Sequence, residues 1–168
     1  YHSRMFGDIE LQSEKGLPIV DEKATNTIEK AYLSASWDAP FAHVGDNVII
    51  YRTGDGRGPA RYRAVISSIC TIAEVKNLAE FQSSEQFIQY IRGRSVFSRE
   101  ELEGFWKSRK YPFIITLLFN APFERYPTRG DLLDNGLIDE NDRIVFNRIS
   151  DQTAVEQMLE MGCVSEGY

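Results

Sequence analysis

The sequence predicts a single α+β domain, a small twisted or closed β-barrel with helices packed outside. Two runs rich in β-branched residues, 47–52 and 61–75, predict adjacent antiparallel strands joined by a glycine loop. The second run exceeds ordinary strand length, so we expect it to bend or coil around the barrel. Helical patterns alternate with further strands, and 168 residues with 42% hydrophobic content can bury one core.

The remaining elements are predicted from apolar periodicity and capping residues. In chain order they are a strand over 28–35, a helix over 81–94, a helix from Ser98 through Trp106, a strand over 113–119, a short helix over 128–133, a last strand over 144–146 and a terminal helix from Ser150. We expect residues 1–27 to form a connector or edge extension. The domain itself is predicted to cover residues 28–168.

The lengths of the apolar runs and the number of cysteines limit which classes of protein the sequence fits. No run approaches the length of a membrane span and no charged-then-apolar leader is present, so we expect no membrane attachment. The start at Tyr1 indicates a processed product or an excised piece. Cys70 and Cys163, with His2 and His43 far apart in sequence, predict neither a zinc site nor another cofactor. Two thiols in a cytoplasmic protein are favoured over a disulfide.

The charge distribution matters more than the net charge of −6, which by itself opposes binding to a polyanion. Acidic residues are concentrated towards both ends of the chain. The central cations include Arg52, Arg57, Arg61, Arg63, Arg92, Arg94, Arg99, Lys107, Arg109 and Lys110. A basic centre between acidic ends favours a local nucleic-acid site, and a solvated surface of alternating charge is the alternative of equal weight.

Three aromatic residues are candidates for stacking on a base. Single-stranded bases bind aromatic faces, and Trp37 lies in a predicted loop after the first strand, where contact with a ligand is common. Tyr51 ends the strand over 47–52. Trp106 shares helical spacing with Leu102, so core packing is the favoured interpretation there.

Polar candidates lie at the ends of the predicted strand pair and in the following segments. They are Arg52, Arg61, Arg63 and Arg94 for phosphates, and Ser67 and Ser68 for base edges. Arg61 and Arg63, two residues apart on a predicted strand, would share one face and could line a groove. The alternatives are a surface ladder of charges for the arginines and room for helix packing for the serines.

Catalytic chemistry is only weakly indicated. No Gly-x-Ser-x-Gly turn is present, and Cys70 on a buried strand is more typical of a core residue than of a nucleophile. The glycines at 54, 56 and 58 lack the following helix that a dinucleotide site requires. We therefore predict no catalytic residue and expect no catalysis by this domain itself.

Three segments carry a resemblance to a known family. They are the Gly45-Asp46 turn with its strand to Arg52, the small-residue strand from Ala64 to Val75, and the element from Arg94 to Trp106 with the strand that follows it, Tyr111 to Phe119. Over residues 31–138 this arrangement resembles the PUA-like superfamily, particularly its EVE and ASCH branches. The resemblance implies a compact barrel that receives a nucleobase or short nucleic-acid segment in a cleft. Similar segments are carboxy-terminal domains joined to acetyltransferase-like domains.

The resemblance also sets the functional expectation and its rivals. We expect a non-catalytic nucleic-acid-binding domain of a larger protein, recognising a single-stranded or flipped, and in some cases modified, base in RNA or DNA. One alternative is a protein-interaction or scaffolding domain serving an attached acetyltransferase-like catalytic domain. Another is a nucleoside amidohydrolase, since ASCH-like proteins of that kind use a lysine, a threonine and a glutamate. This chain offers Thr71 and Glu74 but no matching lysine, and the ASCH sequence signature is absent.

Overall fold

The computed structural model describes residues 28–54 and 56–164 and has a mixed α+β architecture. Its strands are β1 (Glu29–Ser34), β2 (Asn47–Arg52), β3 (Val65–Asn77) and β4 (Phe113–Pro122); its helices are α1 (Ala60–Arg63), α2 (Ser84–Ile91), α3 (Arg99–Ser108), α4 (Arg129–Asp134) and α5 (Gln152–Met161). The connector predicted over residues 1–27 lies outside the described residues.

The strands form a four-stranded antiparallel sheet with the order β1-β4-β3-β2. The β1–β4 register runs from Glu29 opposite Leu118 to Ser34 opposite Phe113. The β2–β3 register shifts between Ile50 and Tyr51, where one extra residue is inserted in β3. Among the described residues, β1 and β2 are the two edges of an open sheet. The sheet together with the helices confirms the predicted α+β class. The described strands do not close into a barrel.

The chain divides into two compact units, each with its own core. Unit 1 contains the described residues up to Asp46 together with Ile72–Leu118, and unit 2 contains Asn47–Thr71 together with the described residues from Phe119 onwards. In unit 1, helices α2 and α3 contribute Phe87, Ile88, Ile91 and Leu102 to a core with Ile114 of β4. Burial of a side chain such as Phe87 contributes roughly 1.5–3 kcal/mol.

The core of unit 2 is formed by β3, β4 and the last two helices. Ile66 and Ile69 pack there with Phe123, Leu132 and Met158. The short helix α4 begins with a capping box, in which Thr128 Oγ1 accepts from the Asp131 backbone N–H while Asp131 accepts from the Thr128 N–H. The capping box defines the start of α4, and the bridge between Thr128 and Val65 places it beside β3.

Two local predictions of secondary structure are wrong. Residues 61–63, predicted as the start of a long strand, belong to helix α1, where Pro59 precedes the first turn and the Ala64 N–H closes it on the Ala60 carbonyl at 2.9 Å. Residues 144–146 form no strand, since Asn147 uses its side chain to accept from the Val145 N–H and donate to the Arg143 carbonyl. Such local bonds compete with strand pairing.

Helix α3 begins where it was predicted, whereas α2 begins at Ser84, three residues after the predicted start at 81. Ser83 accepts from the Gln86 N–H at the start of α2, and Ser98 forms a full capping box with Glu101 at the start of α3. Helix α2 is shorter than the predicted 81–94, and Gly93 with φ of 80° follows its end. No helix in the described ranges is long and apolar enough to cross a membrane.

Candidate functional site

The loop after β1 presents Trp37 almost completely to solvent, with 93% of its surface exposed. Serine side chains order the loop, since Ser34 Oγ accepts from the Ser36 N–H at 3.1 Å and Ser36 Oγ accepts from the Asp38 N–H at 3.3 Å. A 3₁₀ turn over Ala39–Phe41 follows, with Ala39 buried. The indole is therefore an exposed flat surface on a hydrogen-bonded loop of unit 1, as the sequence predicts.

Trp106 has a different environment in the same unit. Its ring stacks on Phe87, with centroids 5.9 Å apart and planes at 29°. The Arg109 guanidinium carbon lies 3.8 Å from the indole centroid. These contacts favour the packing role over a stacking role for Trp106.

Arg94 belongs to a charged network around Tyr90 in unit 1. Its Nε lies 3.5 Å from Glu29 Oε2, and its guanidinium carbon lies 4.9 Å from the Tyr90 ring centroid. The Tyr90 hydroxyl hydrogen-bonds to Glu74 Oε2 at 2.5 Å and lies 3.2 Å from Thr116 Oγ1. The Tyr90 hydrogen bond lowers the pKa of Glu74, and burial together with that carboxylate raises the pKa of Tyr90. Arg94 therefore already takes part in a network of contacts within the protein.

In unit 2, Arg52 ends β2 beside an exposed tyrosine. Its guanidinium carbon lies 5.8 Å from the centroid of Tyr126, which is 48% exposed. Arg52 pairs with Val65 in the β2–β3 register, and Val65 bridges Thr128, two residues after Tyr126. An arginine and an aromatic ring are therefore brought together from segments more than seventy residues apart.

Arg61 and Arg63 do not share a strand face, because both lie on helix α1. Residues two apart on a helix point about 200° apart around its axis. Arg61 pairs with Asp134 of α4 at 2.5 Å, which raises the pKa of Arg61. Arg63 remains exposed, and its stem approaches the glycine loop so closely that a Cβ on Gly58 would lie 3.1 Å from Arg63 Cδ. The prediction that the two arginines share one face is wrong. Arg61 contacts helix α4, whereas Arg63 lies against the glycine loop.

Tyr51 and the two serines are more enclosed than the arginines. Tyr51 packs against the core of unit 2, with its hydroxyl 3.5 Å from Arg129 Nη1. Ser67 Oγ donates to the Ile50 carbonyl at 3.5 Å. Ser68 is only 3% exposed, and among the described residues its Oγ has no hydrogen-bond partner. Both serines remain candidates for base contacts, although neither is presented on an open surface.

The groups that an amidohydrolase would need are not arranged as one site. Thr71 and Glu74 are three residues apart on β3, so they project from opposite faces of the strand. Thr71 Oγ1 accepts from Asn120 Nδ2 at 2.9 Å, whereas Glu74 is engaged by Tyr90. Burial raises the pKa of Cys70 to about 12, which keeps it a thiol. In the part of the chain that the structure describes, no group of three acidic, histidine or cysteine side chains could hold a metal ion.

Two exposed tyrosines were missed by the sequence analysis. Tyr62 is 68% exposed on α1, and Tyr126 lies in the segment that leads to α4. The signal was present in the sequence, since Tyr62 stands between Arg61 and Arg63 and Tyr126 follows Arg125. Interleaved arginine and aromatic residues are typical of surfaces that bind single-stranded nucleic acid.

Comparisons of the chain with protein-family models, curated proteins and solved structures found no match.

Proposed function

We propose that this chain is a non-catalytic nucleic-acid-binding domain that recognises a single-stranded or flipped base. The observation that carries the proposal is Trp37, whose exposed indole sits on a loop fixed by Ser34 and Ser36. An exposed indole offers a flat face to a ligand, and stacking of a base contributes about 1–3 kcal/mol. An ordered loop also lowers the entropy lost on binding.

Unit 2, described by itself, carries arginines that would attract phosphate. Of the predicted phosphate contacts, Arg63 is exposed and Arg52 is partly exposed, and Arg57 in the glycine loop is also exposed. Arg61 pairs with Asp134, and Arg94 pairs with Glu29. Because the chain as a whole is acidic, we expect binding to a short strand with few phosphate contacts and not coverage of a duplex.

The same proposal includes a PUA-like barrel as the finer fold, a cytoplasmic location and a place within a larger protein. The four-stranded antiparallel sheet with helices is compatible with such a barrel, although it is also compatible with other α+β folds. Cys70 and Cys163 are free thiols, which is the state expected in a reducing compartment.

Tryptophan fluorescence tests the proposal, because the two indoles have different surroundings. Short single-stranded RNA and DNA should quench the emission of the wild-type protein, and the effect should decrease at higher salt. Trp37→Phe should abolish most of the quenching while retaining a stacking ring, and Trp37→Ala should weaken binding about tenfold. Trp106→Phe is the matched control and should leave the quenching in place.

Two results would contradict the proposal. Absence of binding to any short strand at low salt would remove it. Equal quenching in the wild type and in Trp37→Phe would show that Trp37 is not the stacking surface.

A protein-interaction domain is the second candidate, and the same loop supplies its supporting observation. Phe41 and Val44 follow Trp37 closely in sequence and are also exposed, so this segment offers several apolar side chains to a neighbouring domain. A Trp37→Ala variant that binds oligonucleotide normally but loses association with its attached domain would favour this candidate. The amidohydrolase alternative has no comparable support, given the opposite faces of Thr71 and Glu74.

A further inference from the structure

We propose that strand β2 is a self-association site, at which a second copy of this chain adds its own β2 antiparallel to the first across a two-fold axis. The inference concerns assembly and does not depend on the proposed function. It begins from the position of β2, which is an edge strand of the four-stranded sheet.

The first step is the direction in which the backbone groups of β2 point. In an antiparallel pair, successive residues alternate between bonding to the neighbouring strand and facing away from it. The Asp46 carbonyl accepts from the Ile72 N–H at 2.9 Å, so Asp46 faces β3 and the next residue, Asn47, faces away. The alternation continues along β2, because the extra residue of the bulge lies in β3. The N–H and C=O groups of Asn47, Ile49 and Tyr51 therefore point outwards from the sheet.

The second step is that this edge has none of the features that usually prevent strand pairing. In the described parts of the chain, no hydrogen bond outside the β2–β3 ladder reaches the backbone of the three outward residues. Residues 47–52 contain no proline, glycine or lysine, and their one charge lies at the last position. An unprotected edge of this kind accepts another strand. The β1 edge differs, since the Ala31 N–H donates to the Arg94 carbonyl at 2.8 Å.

The third step is the choice of a second copy as the occupant. When Ile49 lies opposite Ile49 of the second copy, the outward groups of Asn47 meet those of Tyr51 in the other chain. All three outward residues of each copy are then paired in one ladder. In registers centred on Val48 or Ile50, one outward residue of each copy lies beyond the end of the other strand. The pairing centred on Ile49 is isologous and closes after two copies.

The fourth step is charge complementarity. In the register centred on Ile49, Arg52 of one copy lies opposite Asp46 of the other, and this pair occurs twice. Both side chains also have contacts within their own chain, since Arg52 lies over Tyr126 and Asp46 accepts from the His43 N–H. The Asp46 side chain keeps 52% of its surface exposed, and Arg52 is partly exposed. The backbone ladder carries the association, and the opposite charges favour this register over the others.

Sedimentation velocity of the full chain, from micromolar to millimolar concentration, tests the inference. We expect a monomer–dimer equilibrium, because a strand pair of this length buries less surface than a standard stable interface. Asn47→Pro removes an outward N–H at the first residue of the strand, where proline is compatible with the β2–β3 ladder. It should weaken dimerisation about tenfold, since each copy loses a bond. The matched control is Asn47→Ala, which keeps the N–H and should dimerise within about twofold of the wild type.

Charge variants test the register. Asp46→Arg places two guanidinium groups opposite each other, and Arg52→Asp places two carboxylates opposite each other, so each variant alone should dimerise less than the wild type. An equimolar mixture of the two variants should form heterodimers, because both cross-strand pairs then have opposite charges. Damage to the contacts that either side chain makes within its own chain would not be repaired by mixing.

Amide hydrogen exchange followed by NMR provides a measurement on the unmutated chain. The outward amides of Asn47, Ile49 and Tyr51 should exchange about tenfold more slowly at a concentration where nine-tenths of the chain is dimeric. The amides of Val48 and Ile50 bond to β3 in both states, so their exchange should change much less.

The outcomes decide the inference without deciding the proposed function. Slower exchange at the outward amides, together with heterodimers in the mixture, supports pairing through β2. A chain that is monomeric at every concentration overturns it. A dimer whose outward amides exchange as in the monomer, or a mixture that forms no heterodimer, also overturns it, because association then occurs elsewhere. Quenching of Trp37 by short strands is measured separately and can succeed or fail in either case.

Discussion

Tyr90 in unit 1 and Tyr126 in unit 2 each have a guanidinium group over the ring, yet their surroundings differ. Arg94 lies 4.9 Å from the Tyr90 centroid, and Arg52 lies 5.8 Å from the Tyr126 centroid. The Tyr90 hydroxyl is bonded to Glu74, and its ring lies 5.3 Å from that of Phe81. Tyr126 instead leaves about half of its surface in solvent.

The comparison shows that an arginine over a tyrosine is not by itself a sign of ligand binding. Around Tyr90 the ring, the hydroxyl and the cation all have partners within the protein, which is the pattern of a stabilising network. Around Tyr126 the backbone of the neighbouring residues is fixed by hydrogen bonds, while about half of the Tyr126 surface stays exposed. Measurements of unfolding free energy and of its pH dependence test this contrast.

Gly162→Ala should disturb the attachment of Tyr126. A Cβ at Gly162 would lie 2.4 Å from Phe123 Cδ2, and Phe123 is buried in the unit 2 core. Such overpacking costs about 1–3 kcal/mol, so we expect a lower free energy of unfolding in urea titrations. The segment held by the Gly162 carbonyl should shift as well.

Gly104→Ala provides the matched control for that change. Gly104 lies in α3, and a Cβ there would meet nothing within 4 Å. Alanine in place of a helical glycine should stabilise by up to about 1 kcal/mol. If the two variants unfold at the same urea concentration, the close packing of Phe123 on Gly162 is wrong.

Tyr90→Phe should destabilise the protein more than Tyr126→Phe. The first change removes a hydroxyl that bonds Glu74 and lies next to buried Thr116, so we expect a loss of about 1–2 kcal/mol in unfolding free energy. The second change removes an exposed hydroxyl and should stay within about 0.5 kcal/mol of the wild type. Equal effects would contradict the distinction between network and surface.

Acid should reduce the difference between the wild type and Tyr90→Phe. The Tyr90 hydrogen bond is the main cause that lowers the pKa of Glu74 from its ordinary 4.5. A carboxylate with a lowered folded-state pKa stabilises the protein above its unfolded-state pKa, and this contribution is lost as the pH falls through the folded-state value. Unfolding curves of both proteins at neutral pH and well below pH 4.5 measure the effect. A difference that grows in acid would contradict this assignment.

The elements with strong local signals were predictable from the sequence. Ser98 with Glu101 marks the start of α3, and the alternation of Ala31 and Leu33 with polar residues marks β1. Helix α1 was missed because four residues after a proline carry too little periodicity to distinguish a turn from a strand. The α+β class follows from the local signals, since it depends on the number and type of elements.

The candidate site was less predictable, because its pairs depend on contacts distant in sequence. Nothing local indicates that Arg61 would pair with Asp134, or that Tyr126 would lie under Arg52. Trp37 and Trp106 differ in exposure for a related reason, since Phe87 and Arg109 contact only the second. The residue types in the sequence identify these side chains as candidates. Tertiary contacts determine which of them are exposed to solvent.

Arg129 illustrates how one side chain can organise a segment without regular structure. Its Nη2 donates to the backbone carbonyls of Asp139, Glu140 and Asp142 at 3.3, 3.0 and 3.2 Å. Because three acceptors share one donor, withdrawal of that guanidinium releases all of them in a single event. The stretch then keeps only its local bonds, such as those that join Asp139 and Asp142.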